Sequence, residues 1–157
     1  MKKQTLTIVV PCFNEQETVN TFIEAIGQLS KHMSIKSLRI DILFIDDGST
    51  DNTLRIIHEL SISNKRINYI SFSRNFGKEA AIYAGLKNCK SDYCVIMDVD
   101  LQDPPNLLPH MYSLIINEGY DCIATRRISR KGEPYLRSVL AILFYRIIIM
   151  DPENWTG

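Results

Sequence analysis

The chain has 157 residues, which is enough for one domain with a sizeable core. Hydrophobic residues make up 45% and charged residues 23%, the balance of a soluble globular fold. The formal net charge is zero, which excludes a general electrostatic attraction to nucleic acid. No apolar run reaches the roughly 20 residues of a membrane span, and the N-terminus leads into a strand pattern with no signal peptide.

The four cysteines show neither a CxxC pair nor the spacing of a metal finger. Cys12 and Cys94 lie within or beside apolar runs. We therefore expect both to be small buried hydrophobic residues of a protein from a reducing compartment.

Strand and helix patterns alternate along the chain. The strands are predicted at residues 6–10, 40–45, 67–72, 93–97 and 120–125. The run 93–97 (YCVIM) is apolar throughout, which predicts a central strand buried on both faces. Five repeats of this alternation predict an α/β fold, in which a mostly parallel sheet carries helices on both faces.

The intervening helices are predicted from apolar residues at helical spacing and from their end signals. Asn14 and Glu17 have the spacing of a capping box for the first helix. The pair 104–105 (PP) is expected to open the fourth helix, Pro109 to kink it and Gly119 to end it.

Four polar motifs each follow the carboxyl end of a predicted strand. They are residues 11–15 (PCFNE), 46–51 (DDGSTD), 74–78 (RNFGK) and 98–105 (DVDLQDPP). In a parallel sheet these ends share one edge, so we expect four distant segments to converge on one crevice.

The acidic motifs predict specific chemistry. Asp98 and Asp100 can point to the same side of an extended chain and form a seat for a divalent cation; the alternative is an acidic turn that caps the next helix. Asp46 and Asp47 point opposite ways, so that one can accept hydrogen bonds from a base or ribose and the other can cap a helix; turn chemistry alone is the alternative. Asp103 is a candidate base, with an N-cap role as the alternative.

Positive charge follows the third predicted strand. Arg74 and Lys78 suit a diphosphate ligand held beside a metal; the alternative is an ordinary surface pair. The sequence contains neither a GxxxxGK[ST] loop nor GxGxxG, which disfavours P-loop phosphoryl transfer and dinucleotide binding.

Taken together, the four motifs resemble those of family 2 glycosyltransferases, and residues 6–150 take part in the resemblance. The branch that the chain resembles is the polyprenyl-phosphate sugar transferases, which include dolichol-phosphate mannosyltransferase and undecaprenyl-phosphate glucosyltransferase. The resemblance implies a Rossmann-like GT-A fold, with a nucleotide-sugar-binding catalytic domain at residues 1–133. Residues 134–157 are predicted to form an amphipathic helix and tail, either at a membrane interface or packed on the chain's own core or a partner chain.

The resemblance also implies roles for individual residues. Nucleoside and donor binding fall to Pro11, Phe13, Glu15, Asp46, Asp47 and Lys78. Mg²⁺ or Mn²⁺ is expected on Asp98, Asp100 and Gln102, and catalytic roles on Asp98, Asp100 and Asp103. Arg126 and Arg137 are expected to receive the phosphate of the acceptor.

The function expected from the resemblance is inverting, metal-dependent transfer of a hexose from a UDP- or GDP-linked sugar to a polyprenyl phosphate. The expected location is the cytoplasmic face of the cell membrane, with peripheral membrane contact or self-association and no nucleic-acid partner. Two alternatives stay open: transfer to a saccharide hydroxyl in cell-envelope synthesis, and a shortened, non-catalytic remnant that binds a nucleotide or a partner.

Overall fold

A computed structural model describes residues 4–32 and 38–125. The chain divides into two compact units, Met1–Asp121 and Cys122–Gly157. All the helices, strands and contacts described below belong to the first unit. The predicted helix at 134–157, together with Arg126 and Arg137, lies outside the described residues.

The first unit alternates strands and helices around one parallel sheet. Its elements are β1 Gln4–Cys12, α1 Val19–His32, β2 Leu38–Asp46, α2 Thr53–Ser63, β3 Ile67–Ser71, α3 Lys78–Asn88, β4 Tyr93–Ile96, a 3₁₀ turn Pro105–Leu107, and α4 Leu108–Glu118. The strand order is β3-β2-β1-β4, and every pair is parallel. This confirms the predicted α/β architecture with a parallel sheet.

The alternating side chains of β1 divide the core between the two faces of the sheet. Ile8 and Val10 pack on one face with Phe22 of α1 and Ile57 of α2. Val9, pointing the other way, packs with Ile45 of β2 and Ala81 of α3. Helices therefore cover both faces, as predicted.

Helix α3 lies very close to the sheet at Gly85. A Cβ atom built on Gly85 would come within 2.2 Å of a Val9 Cγ atom, a distance that packed atoms do not tolerate. Gly85 is buried, and Ala81, one turn earlier, is fully buried. Small residues at these two positions let the helix backbone rest directly on the Val9 side chain of β1.

Two predictions about strands are wrong: that the strand at 93–97 is central and buried on both faces, and that a fifth strand forms at 120–125. β4 forms the edge of the described sheet and pairs only with β1, and its side chains alternate between half-buried and exposed, with Ile96 at 42% exposure. The described residues 120–125 contain no strand. An apolar run indicates a strand, but its place in the sheet depends on distant pairing partners that the run does not encode.

Two predicted end signals also act differently. Asn14 adopts a left-handed backbone conformation, with φ of 55°, and does not cap α1, which begins only at Val19. Pro109 lies in the first turn of α4, where the missing N–H is not needed, so it does not kink the helix. Gly119 ends α4 in the left-handed conformation, as predicted.

None of the helices in the described part of the chain is both long enough and apolar enough to cross a membrane.

Candidate functional site

The loops that follow the four strands meet in one cleft at the carboxyl edge of the sheet. Its volume is about 360 Å³. The lining residues are Pro11, Cys12, Phe13, Glu15, Asp47, Asn75, Gly77, Lys78, Ala81, Asp98, Val99 and Asp100. The predicted convergence of four distant motifs is thus observed, at the place where open parallel sheets bind ligands.

One wall of the cleft is tied together by hydrogen bonds between loop 13–18 and the residues that follow β2. The Asn14 amide donates to Ser49 Oγ at 2.9 Å, and the Thr50 amide donates to Asn14 Oδ1 at 2.8 Å. The Glu15 amide donates to Thr53 Oγ1 at 2.7 Å. The left-handed conformation of Asn14 thus lets its main chain and side chain both bond the neighbouring loop.

Asp47 anchors the third loop to this wall. It is 3% exposed, and its two carboxylate oxygens accept hydrogen bonds from the amides of Phe76 at 2.7 Å and Gly77 at 2.9 Å. Asp46 is 1% exposed and accepts from the Ser49 amide and the Ser71 hydroxyl. It lies behind the cleft and not in its lining.

Neither aspartate caps α2, so the predicted capping role is wrong. The residue at the N-cap of α2 is Asn52, and its neighbour Asp51 accepts a hydrogen bond at Oδ1 from the Thr53 amide at 2.9 Å. Burial alone would raise the pKa of the Asp51 carboxyl, but hydrogen bonds from Thr53 and Gln16 outweigh it and lower that pKa below its usual value.

Gly48 fits where no other residue would. Its φ is +71°, and a Cβ atom there would lie 2.4 Å from the carbonyl carbon of Arg74. The β2 loop therefore touches the backbone of the β3 loop directly, and this contact requires glycine.

The opposite wall, loop 97–104, is built differently. The Lys78 ammonium lies 2.6 Å from Asp98 Oδ1 and 2.7 Å from Asp98 Oδ2. Asp100 is exposed, and its Oδ1 accepts a hydrogen bond from the Gln102 amide at 3.1 Å. Leu101 adopts φ of 58°, a strained conformation for a branched residue, and packs against the core.

Among the described residues, no three His, Cys, Asp or Glu side chains are arranged as a ready-made metal site. Asp98 and Asp100 nevertheless line the same cleft. Mg²⁺ and Mn²⁺ bind through one or two carboxylates when phosphate oxygens and waters supply the other ligands. The two aspartates therefore fit a divalent cation that arrives with a diphosphate.

The charges of the cleft favour a cation in the same way. Its described lining carries four carboxylates, on Glu15, Asp47, Asp98 and Asp100, and one ammonium, on Lys78, for a formal charge of −3. An anionic ligand would be repelled by such a lining unless additional positive charge accompanied it.

Asp103 and Gln102 do not line the cleft. The first residue before the 3₁₀ turn is Pro104, so the predicted N-cap role of Asp103 is wrong. The Gln102 side chain is exposed, and the observed bond to Asp100 comes from its backbone.

The four cysteines differ in exposure: Cys12 is buried, Cys89 is intermediate, and Cys94 and Cys122 are exposed. Cys12 is buried in the cleft floor, and desolvation, followed by the charge of Asp46, raises the pKa of its thiol. The expected burial of Cys94 is wrong, because it lies on the exposed face of β4. Partial desolvation and the neighbouring Cys89 thiol raise the pKa of Cys94 to about 12. Both thiols are therefore weak nucleophiles at neutral pH.

Seven of the predicted site residues come together in the cleft: Pro11, Phe13, Glu15, Asp47, Lys78, Asp98 and Asp100. Sequence reasoning assigned no role to Cys12, Asn75, Gly77, Ala81 or Val99, which also line it. The first three and Val99 lie inside the motifs that were recognised. Ala81 lies one helical turn after Lys78, so helical spacing was the signal that pointed to it.

Comparison with known proteins gives a consistent picture. Residues 7–155 match the family described as "Glycosyl transferase family 2". The putative glycosyltransferase CsbB of Bacillus subtilis (strain 168) is 39% identical over 148 residues, which are 94% of this chain and 44% of that protein. The prophage bactoprenol glucosyl transferase homolog of Escherichia coli (strain K12) is 37% identical over 142 residues, 90% of this chain and 45% of that protein. The chain thus spans less than half the length of these curated relatives.

Among solved structures, one similar chain is the mannosyltransferase PcManGT from Pyrobaculum calidifontis, in complex with GDP-Man and Mn²⁺. The TM-score is 0.58 at 18% identity, over 70% of this chain and 32% of that chain. At this identity the likeness bears on the fold, which is the predicted Rossmann-like GT-A arrangement.

Proposed function

The chain belongs to glycosyl transferase family 2, and from this premise we propose that it carries the donor site of an inverting, metal-dependent hexosyltransferase. The donor is a UDP- or GDP-linked sugar, and the acceptor is a polyprenyl phosphate at the cytoplasmic face of the cell membrane. The acceptor is proposed from the relative whose name states that it is a bactoprenol glucosyl transferase homolog.

The observation that carries the proposal is the position of Asp98 and Asp100 in a cleft whose lining has a formal charge of −3. A nucleoside diphosphate brings at least two more negative charges, so it needs a cation between itself and these carboxylates. Mg²⁺ or Mn²⁺, when bound, neutralises the charge that develops on the departing diphosphate. Because both the cleft lining and the diphosphate are negative, a divalent cation is needed to hold them together, which supports metal dependence.

The remaining lining residues suit the nucleoside. Phe13 is 42% exposed at the cleft, which leaves a ring face for a base to stack on. Glu15 lines the same wall and offers acceptor oxygens to ribose hydroxyls. We propose that Pro11 and Asp47 complete this subsite. Asp47 contributes by holding the third loop in place through its hydrogen bonds to the amides of Phe76 and Gly77.

Asp46 enters the proposal as a support for the nucleoside wall. Its oxygens bond Ser49 and Ser71, so it holds the β2 and β3 ends together behind Asp47. The contact with the nucleoside that the resemblance implied for Asp46 would require it to leave these partners.

The reaction geometry follows from an acceptor that is already anionic near neutral pH. A phosphate oxygen of the polyprenyl phosphate attacks the anomeric carbon opposite the departing diphosphate and inverts its configuration. Such an acceptor needs little help from a base, so Asp103 is required only if the acceptor is a hydroxyl. Arg126 and Arg137 are proposed to receive the acceptor phosphate.

The first experiment is a thermal-shift measurement on the 157-residue chain with UDP or GDP, with and without Mn²⁺. A nucleotide at about 100 times its Kd adds about 2.7 kcal/mol, which corresponds to a rise of several degrees in Tm. Asp100→Asn should abolish the rise. Glu118→Gln, which removes an exposed carboxylate at the end of α4, is the matched control and should leave the rise unchanged.

The second experiment compares acceptors. Transfer of radiolabelled sugar to undecaprenyl phosphate but not to a saccharide supports the proposal, and the reverse result supports the saccharide alternative. Nucleotide binding without transfer to either acceptor supports a non-catalytic remnant. The absence of a Tm shift with every nucleoside diphosphate would contradict the proposed donor site.

A further inference from the structure

The Lys78–Asp98 pair has a geometry that concerns the metal directly. The single ammonium of Lys78 lies 2.6 and 2.7 Å from the two oxygens of Asp98, so it holds both ends of that carboxylate at once. The same oxygens belong to the seat proposed for the divalent cation. A side chain of the protein therefore holds the carboxylate that the metal would require.

The position of Lys78 is unfavourable for the helix that carries it. Lys78 is the first residue of α3, where the exposed N–H groups create a positive potential that disfavours a cation. Its presence there is compensated by Asp98 on the facing loop. The reason for a cation at this position thus lies in the cleft and not in helix stability.

The Lys78 ammonium can also move away from Asp98. The side chain is 54% exposed, and an exposed ion pair of this kind contributes little to stability. The flexible four-carbon stem lets the ammonium move several ångströms without moving α3. A diphosphate that entered the cleft would offer this ammonium a more strongly charged partner than one carboxylate.

We propose that Lys78 is an internal counter-cation of Asp98, which weakens the binding of divalent metal before the donor enters and transfers to the diphosphate when it does. The nucleoside diphosphate then strengthens the binding of the metal. This inference rests on the proposed donor site and adds to it a coupling between metal and donor binding. Because coupling between two ligands is reciprocal, the metal and the nucleotide each strengthen the binding of the other.

The test measures Mn²⁺ binding by electron paramagnetic resonance, which reports free Mn²⁺ and requires no turnover. Three forms of the 157-residue chain are compared: wild type, Lys78→Met and Lys78→Arg. Lys87→Met is the matched control, since Lys87 lies in the last turn of the same helix and contacts the Tyr83 ring. Loss of an ion pair worth up to about 1 kcal/mol corresponds to about fivefold in affinity.

Without nucleotide, Lys78→Met should bind Mn²⁺ about fivefold more tightly than wild type, while Lys78→Arg and Lys87→Met should resemble wild type. Adding Asp98→Asn to Lys78→Met should remove the gain. With Mn²⁺ present, Lys78→Met should bind UDP or GDP more weakly than wild type. The substitution thus changes the two affinities in opposite directions, which a purely structural role would not do.

Two results would overturn the inference, and they differ. If wild type binds nucleotide with Mn²⁺ but Lys78→Met leaves the affinity for Mn²⁺ alone unchanged, the counter-cation role is wrong and the proposed function stands. If no form binds any nucleoside diphosphate, the proposed function fails and this inference fails with it.

Discussion

The two walls of the cleft are held in contrasting ways. On the wall formed after β1, β2 and β3, Asp47 is 3% exposed and both of its oxygens accept backbone hydrogen bonds from another loop. On the wall formed after β4, Asp100 is exposed and accepts a hydrogen bond from the Gln102 amide of its own loop, two residues away. Asp47 of the first wall thus holds two loops together, whereas Asp100 of the second wall is exposed to solvent.

This contrast suggests which part of the cleft changes when a ligand binds. A wall whose polar groups are already satisfied is preorganised and loses little entropy on binding. In the second wall, Asp100 faces solvent and Asp98 is paired with the Lys78 ammonium, so this wall keeps a net negative charge that a ligand can neutralise. We expect the first wall to set the shape of the subsite, and the second to respond to the ligand.

The largest expected effect tests the rigid wall. Gly48→Ala should lower the free energy of unfolding by about 3 kcal/mol, because the new Cβ atom meets the Arg74 backbone and φ is positive. Gly119→Ala shares the positive φ but has nothing within 4 Å, so about 1 kcal/mol is expected. Urea unfolding measures both.

A second glycine control sharpens this result. Gly27 lies in the interior of α1 with nothing within 4 Å of a built Cβ atom, so Gly27→Ala should stabilise the protein by up to about 1 kcal/mol. Equal losses of stability in Gly48→Ala and Gly119→Ala would mean that the clash with the Arg74 backbone adds nothing to the cost of a positive φ.

The next effect separates the two walls. Asp47→Asn leaves one of two buried backbone donors facing an amide NH₂ group, so we expect a loss of about 2 kcal/mol of stability. Asp100→Asn should change stability by less than about 0.5 kcal/mol and yet abolish metal-dependent nucleotide binding. Urea unfolding and thermal shift, applied to both variants, distinguish these outcomes. Similar stability losses would contradict the division into a structural and a ligand-facing wall.

The smallest effect concerns pH. The pKa of Asp51 is lower in the folded chain than in the unfolded chain, so its contribution to stability is present above about pH 4 and is lost as the pH falls through the lowered value. Urea unfolding of wild type and Asp51→Asn between pH 5 and pH 2 should show the stability difference shrinking toward acid. A difference that is independent of pH would mean that the Thr53 hydrogen bonds do not favour the ionised carboxylate.

Much of the fold was predictable because its signals are local. The apolar runs that became β1 to β4 and the spacing of the four helices identify the parallel α/β sheet. The rule that strand ends share an edge then brought Phe13, Asp47, Lys78 and Asp98 to one cleft.

What the sequence could not supply depends on distant partners. The apolar run at 93–97 predicts a strand, but it does not predict that β4 pairs with only one neighbour, β1, in the described sheet. Alternation sends Asp46 and Asp47 opposite ways but does not say which one faces the cleft, since that depends on where Ser71 and the Phe76 amide lie. Asn14 and Glu17 have the spacing of a capping box, but Asn14 bonds Ser49 and Thr50 of another loop, and the spacing does not encode that partner.

The close approach of Gly85 to Val9 constrains how the cleft can respond. A helix whose backbone rests on the Val9 side chain, with no side chain of its own in between, has no room to roll or to tilt inward. Rearrangement at the start of α3 must therefore come from the lysine stem and from the loop before it. The sheet and α3 therefore keep their relative positions, and a response to a ligand at the sheet edge comes from rotation about the side-chain bonds of Lys78 and the backbone bonds of the loop before it.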